Sequence, residues 1–197
     1  MADRKGLIVC ISGPSGAGKG TVLGKVSEIF PEMGSSISVT TRAPRGTEQE
    51  GVEYYFRTPE QFEQMIRDNE IIEYDVYAGN YYGTPREHIS RQCDEGIDCL
   101  VDLTVAGSIA LKEIYGDNAL TIFLMPPSME VLEGRLRGRG TETDEKIRLR
   151  LSQAASEMER KDEFDHVVVN DDLETAVNEV IGLIEAKREE LESGLQI

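Results

Sequence analysis

Leu7-Ile-Val-Cys-Ile11 leads into Gly13-Pro-Ser-Gly-Ala-Gly-Lys-Gly-Thr21 and then into a helical stretch from Thr21 to Phe30. An apolar strand, a glycine-rich loop and a helix in that order form the setting in which such a loop binds phosphate. The glycines let backbone N–H groups turn inward onto phosphate oxygens, and the helix start adds partial positive charge. The spacing assigns Gly13, Pro14, Ser15, Gly16, Ala17, Gly18, Lys19, Gly20 and Thr21 to the phosphates of a nucleoside triphosphate, with Lys19 reaching the outer ones. In the usual pattern a Ser or Thr directly after the lysine holds Mg2+. Gly20 stands there in this chain, which leaves the magnesium contact to Thr21 or to water.

Working outward, three more short apolar runs follow, Cys99-Leu-Val-Asp-Leu103, Leu120-Thr-Ile-Phe-Leu-Met125 and His166-Val-Val-Val169. None alternates apolar with polar residues, so all read as strands buried on both faces of a parallel sheet. Helical stretches lie between and after them, at Ala106 to Ile114, at Ser128 to Arg137 with Ser128 as N-cap, and at Leu173 to Leu191. Strand–helix alternation of this kind predicts a three-layer α/β domain, and the loop makes it a P-loop NTPase-type parallel sheet. The region 35–88 breaks the rhythm and reads as a small mixed α/β insertion. Its clear helix begins at Thr58-Pro59, with Gln61 closing a capping box. The region 135–157, interrupted at Gly138-Arg-Gly140, reads as a helical lid, and 1–34, 89–134 and 158–197 form the core.

Composition limits the function classes. The 197 residues carry 21 Lys plus Arg against 37 Asp plus Glu, a net charge of −16, which disfavours nucleic acid and anionic membranes as partners. No apolar run approaches the ~20 residues of a membrane span, and the N-terminus makes a poor signal peptide, so a cytoplasmic protein is expected. The three cysteines, Cys10, Cys93 and Cys99, have no CxxC spacing and read as reduced thiols. His88 and His166 stand far apart in sequence and read as structural.

Further motifs fall in order along the chain. They are Ser38-Val-Thr-Thr-Arg-Ala-Pro-Arg45, Gly51-Val-Glu-Tyr-Tyr-Phe56, Glu73, Gly79-Asn-Tyr-Tyr-Gly-Thr84, Arg135-Leu-Arg-Gly-Arg-Gly-Thr-Glu-Thr143 and Val169-Asn-Asp-Asp172. With the phosphate loop, they resemble the guanylate kinase family over nearly the whole chain. The resemblance implies ATP and GMP as substrates, Mg2+ as cofactor and a monomer or homodimer. It implies that Arg42 and Arg45 grip the GMP phosphate with Tyr54 and Tyr82, and guanidinium forks suit bidentate phosphate binding. It implies that Glu73, Ser38 and Thr84 read guanine, whose N1–H and N2 amino group offer two donors to one carboxylate. Asp102 is implied near substrate and Mg2+, the latter directly or through water. Asn170 is implied at the adenine of ATP, and Arg135, Arg139 and Arg150 in the lid, catalytic with Lys19 and Arg42. One departure stands out, because the family pattern Asp-x-Asp reads Asp102-Leu-Thr104 here.

Two rivals remain. A kinase for AMP or UMP is disfavoured by Glu73 and by the Arg- and Tyr-bearing segments of the insertion. A non-catalytic guanylate-kinase-like binding module is disfavoured by the intact Lys19 and lid arginines.

Overall fold

The computed structural model describes residues 4–77, 79–138 and 143–194. Its main sheet is parallel throughout. It comprises β1 (Ile8–Ser12), β2 (Gly34–Ser35), β7 (Cys99–Asp102), β8 (Ala119–Met125) and β9 (His166–Val169), in the order β2-β7-β1-β8-β9. The central strand β1 is buried along its whole length, as its unbroken apolar run predicts. Leu7, Val9 and Ile11 face Val22 and Val26 of α1 (Lys19–Ile29) and Val180 and Ile184 of α7 (Leu173–Gly194). Ile8 and Cys10 face the other way, towards Ile89 and Cys93 of α3 (Arg86–Asp94) and Leu111 of α4 (Val105–Tyr115). Helix, sheet and helix thus form three layers.

The expectation of burial on both faces fails at β9, where only Val168 is buried and Val169 is 43% exposed. β9 is an edge strand covered on one face, and an apolar run alone cannot distinguish an edge from the centre of a sheet.

A second sheet has the order β4-β3-β6-β5, built from β3 (Val39–Thr40), β4 (Tyr55–Phe56), β5 (Ile71–Tyr77) and β6 (Asn80–Pro85). Helix α2 (Pro59–Arg67) starts at the expected capping box, in which the Thr58 hydroxyl accepts from Gln61 N–H and the Gln61 side chain accepts from Thr58 N–H. Its Phe62 is fully buried and stacks on Tyr81 of β6 at 4.9 Å between ring centroids. Helices α5 (Met129–Gly138) and α6 (Asp144–Met158) pack through Leu132, Leu136, Ile147 and Ala154.

A buried carboxylate ties the ends of the core together. Asp98 accepts from the Leu7 N–H at 2.7 Å, from Arg4 at 2.5 Å and from Arg188 Nε of α7 at 2.7 Å. Asp98→Ala leaves the Leu7 N–H without its acceptor and reduces Arg4 and Arg188 to their longer contacts with Glu192 at 3.5 Å and Glu32 at 3.4 Å. It is expected to destabilise the fold by about 3 kcal/mol and to lower Tm by roughly 6–12 °C in calorimetry. An unchanged Tm would show that water replaces the carboxylate without loss.

Cys10, Cys93 and Cys99 are free and buried, and burial pushes the Cys10 and Cys99 thiols up to about 12, well out of the nucleophilic range. No helix among the described residues is long and apolar enough to cross a membrane.

Candidate active site

The loop between β1 and α1 lies at the carboxyl ends of the central strands, the place where an open parallel sheet binds its ligands. Gly18 is the N-cap of α1 with φ 100°, a left-handed conformation that glycine adopts without strain. It also needs to be glycine for space, since a Cβ there would lie 2.4 Å from Nδ2 of Asn170. No side chain caps α1 and its first turn holds no carboxylate, so the positive helix end faces the loop unneutralised. Lys19 Nζ is held back over the loop by the carbonyls of Gly13 at 2.7 Å and Pro14 at 3.5 Å. Ser15, Gly16, Gly18, Lys19, Gly20, Thr21 and Asp102 line one pocket of about 330 Å³.

A second pocket, of about 210 Å³, opens beside the first and is lined by Ser38, Glu73, Tyr82, Thr84, Asp102 and Thr104 among others. Asp102, the last residue of β7, lines both. Its carboxyl is pushed up by desolvation and drawn back down by Lys19. Register places Glu73 of β5 opposite Thr84 of β6. Burial raises the Glu73 carboxyl, with a further push from the Asp102 charge, while hydrogen bonds from Thr104 and Thr84 lower it. The Thr104 N–H donates to Glu73 Oε2 at 3.0 Å and the Thr104 hydroxyl donates to the same oxygen.

Beyond this pocket Arg42 and the two tyrosines converge. The Arg42 guanidinium lies 5.4 Å from the Tyr54 ring centroid, and Tyr54 meets Tyr82 edge-on at 6.0 Å. Arg42 is buried, a costly place for a guanidinium without an anion. Glu48 answers that charge, accepting from Nη1 at 2.9 Å and Nη2 at 3.0 Å of Arg42, and it also accepts from Arg45 N–H at 2.7 Å. The guanidinium also donates to Ala43 O at 2.8 Å and hydrogen-bonds the Tyr82 hydroxyl, so Arg42 is tied to the loop and to one of the two tyrosines at once. The Arg45 side chain is exposed on the same loop.

The guanylate kinase family model matches residues 5–187. A guanylate kinase of Synechococcus sp. is 47% identical over 180 residues, covering 91% of this chain and 82% of its own length. A guanylate kinase of Rickettsia bellii is 40% identical over 188 residues, covering 95% of this chain and 98% of its own. The crystal structure of guanylate kinase from Anaplasma phagocytophilum superimposes with a TM-score of 0.68 at 33% identity, covering 98% of this chain and 97% of that one. The chain belongs to the guanylate kinase family. Its members use ATP to phosphorylate GMP to GDP.

Two of the three arginines expected in a lid have partners outside their own helices. Arg135 of α5 donates through Nη2 to Asn170 O at 2.8 Å and through Nη1 to Ala17 O at 3.3 Å. Arg150 of α6 donates to Ser15 Oγ at 2.5 Å. Both therefore stand on the Gly13 to Thr21 loop, whereas Arg139 lies outside the described residues. Arg137 pairs with Glu133 at 2.8 Å and with Asp144 at 2.5 Å on the surface of α5 and α6. Asn170, after β9, is buried, and its amide donates to Ala17 O at 2.8 Å.

Sequence reasoning did not single out Glu48 or Gly107. A glutamate in a polar loop reads as solvated, and only the fold brings Glu48 onto Arg42. Gly107 is an ordinary helix glycine in sequence, yet a Cβ there would lie 2.1 Å from Glu73 Oε2. His88 keeps a structural role, its Nδ1 accepting from Ile37 N–H at 3.5 Å.

Proposed function

We propose that the chain transfers the γ-phosphoryl group of ATP to GMP by holding the two nucleotides in adjoining pockets. The observation that carries this reading is that Asp102 lines both of them. ATP lies with its phosphates on Gly13 to Thr21 and Lys19 on the outer ones. GMP lies with its phosphate on Arg42, Arg45, Tyr54 and Tyr82, and with its guanine edge on Glu73, Ser38 and Thr84. Guanine gives Glu73 two donors, whereas adenine would turn the N1 lone pair towards the carboxylate. A site built on such hydrogen bonds can reject the wrong base by ~10⁴-fold.

The reacting groups balance without a strong base. An oxygen of the GMP phosphate, already anionic, bonds to the γ-phosphorus while the bond from that phosphorus to the β,γ-bridging oxygen breaks, which releases ADP. The demand on the protein is positioning and charge. Lys19, Arg42, Arg135, Arg139 and Arg150 supply the positive charge, and lid and insertion exclude the water that would otherwise accept the phosphoryl group. For Mg2+, the Asp102 carboxylate and Thr21 hydroxyl offer the hard oxygen donors this ion prefers, beside the loop that holds the phosphates. When bound, Mg2+ neutralises charge on the ATP phosphates.

The test is a single molecule that carries adenosine and guanosine joined through five phosphates. It should bind one per chain, more tightly than either nucleotide, and displace both. Displacement of only one nucleotide would contradict adjoining sites.

A pH dependence follows from Glu73. Its pKa is raised, the ionised form is the one that accepts from guanine, and Asp102, Thr84 and Thr104 are the polar groups that bear on it. The KM for GMP should therefore rise as pH falls from neutral to mildly acidic values. Glu73→Gln, compared over the same range, separates this from titration of the GMP phosphate, because the carboxylate contribution to the slope should vanish. Parallel profiles for the two proteins would remove Glu73 from the base site.

A further inference from the structure

We propose that Thr104 is a positioning residue for Glu73 and thereby sets the affinity for guanine, an inference that rests on the assignment of Glu73 to the base. Thr104 is the N-cap of α4, its hydroxyl oxygen accepting from Gly107 N–H at 3.1 Å. A hydroxyl has one proton to give, and this one goes to Glu73 Oε2, which also accepts the Thr104 N–H at 3.0 Å. Two donors from one residue therefore fix one carboxylate oxygen. They leave Oε1 as the oxygen not engaged by Thr104, on a side chain that lines the same pocket as Ser38 and Thr84. Gly107 completes the seat by having no side chain, because a Cβ would lie 2.1 Å from Oε2.

The arrangement crosses the molecule. Glu73 belongs to β5 of the second sheet, while Thr104 and Gly107 belong to the junction of β7 and α4 in the core. A carboxylate in place of Thr104 would still cap α4 but would have no proton to donate. It would also add a negative charge to a corner that already holds Asp102 and Glu73. What Thr104 supplies to Glu73 is thus separable from what it supplies to the helix.

Three variants make the separation. Thr104→Asp retains a capping acceptor and lacks the donor, Thr104→Val lacks both, and Thr104→Ser retains both. In steady-state kinetics, Thr104→Asp and Thr104→Val should each raise the KM for GMP roughly tenfold, the worth of one charge-assisted hydrogen bond. The KM for ATP should hold and kcat should change by less than about threefold, while Thr104→Ser restores most of the GMP affinity. Thr104→Asp should stay fully folded at the assay temperature, read by circular dichroism, despite its loss of affinity. A loss confined to Thr104→Val, or one shared by Thr104→Ser, would assign the effect to the helix cap and overturn the proposal. So would wild-type KM in both Asp and Val variants when Glu73→Gln is impaired. If Glu73→Gln is also unimpaired, the assignment of Glu73 to guanine is what fails.

Discussion

Lys19→Met is expected to lower phosphoryl transfer by a factor on the order of 10³–10⁴, with the melting temperature nearly unchanged. Methionine replaces the unbranched apolar stem of lysine but carries no ammonium, so the change separates electrostatics from packing. Lys19 begins α1, where no side chain cap or carboxylate neutralises the helix end, and its ammonium rests on the carbonyls of Gly13 and Pro14. Burial raises the Asp102 and Glu157 carboxyls and the Lys19 charge draws both back down, so the ammonium lies near the pocket and near α6 alike. An ammonium in this position meets charge that develops on the transferred group, and water cannot replace it once the lid excludes solvent. Single-turnover rates with saturating ATP and GMP measure the effect directly. A variant that retains a tenth or more of the wild-type rate would remove Lys19 from the chemistry.

Glu73→Gln is the second large effect. The amide keeps the shape but replaces one acceptor oxygen by a donor NH2. Thr104 presents two donors and guanine presents two more, so the amide must set donor against donor on one side or the other. A fall of about 10²–10³ in kcat/KM for GMP is expected, with the KM for ATP unchanged and discrimination against AMP reduced. Equal losses for ATP and GMP would show that the substitution disturbs the fold instead of the base site.

The fold was legible wherever its determinants are local. The phosphate loop announces itself because its chemistry is carried by backbone N–H groups that only a particular run of glycines can present. β1 and β8 announce themselves because strands covered on both faces need uninterrupted apolar runs. β9 carries the same kind of run, yet it lies at the sheet edge with Val167 and Val169 exposed, and nothing in its composition marks that difference. The second sheet lies where the sequence changes rhythm, and α2 was legible through the Thr58 capping box. The strands β3 and β4, two residues each, are too short for any period to register.

The candidate site divides in a similar way. Arg42, Tyr54 and Tyr82, grouped in the sequence only by the family resemblance, meet in the structure. The order of the loop and insertion gave no warning that Glu48 would hold the Arg42 fork, because that partner is chosen by a turn and not by a pattern. At Asn170, which the family resemblance assigns to adenine, the buried amide donates to Ala17 O, and the same carbonyl receives Arg135. Both contacts depend on three separate chain segments meeting at one oxygen, which sequence spacing cannot express. Thr104 was visible as a missing carboxylate. Its donation to Glu73 became visible only when the two sheets were placed together.

The most direct test of the account is ADP release from Mg-ATP in a coupled assay with GMP, AMP, UMP or no acceptor. The account predicts turnover with GMP that exceeds that with AMP or UMP by roughly 10²–10⁴-fold, and only background release without acceptor. Turnover that favours AMP or UMP, or that proceeds equally well without any acceptor, would contradict it.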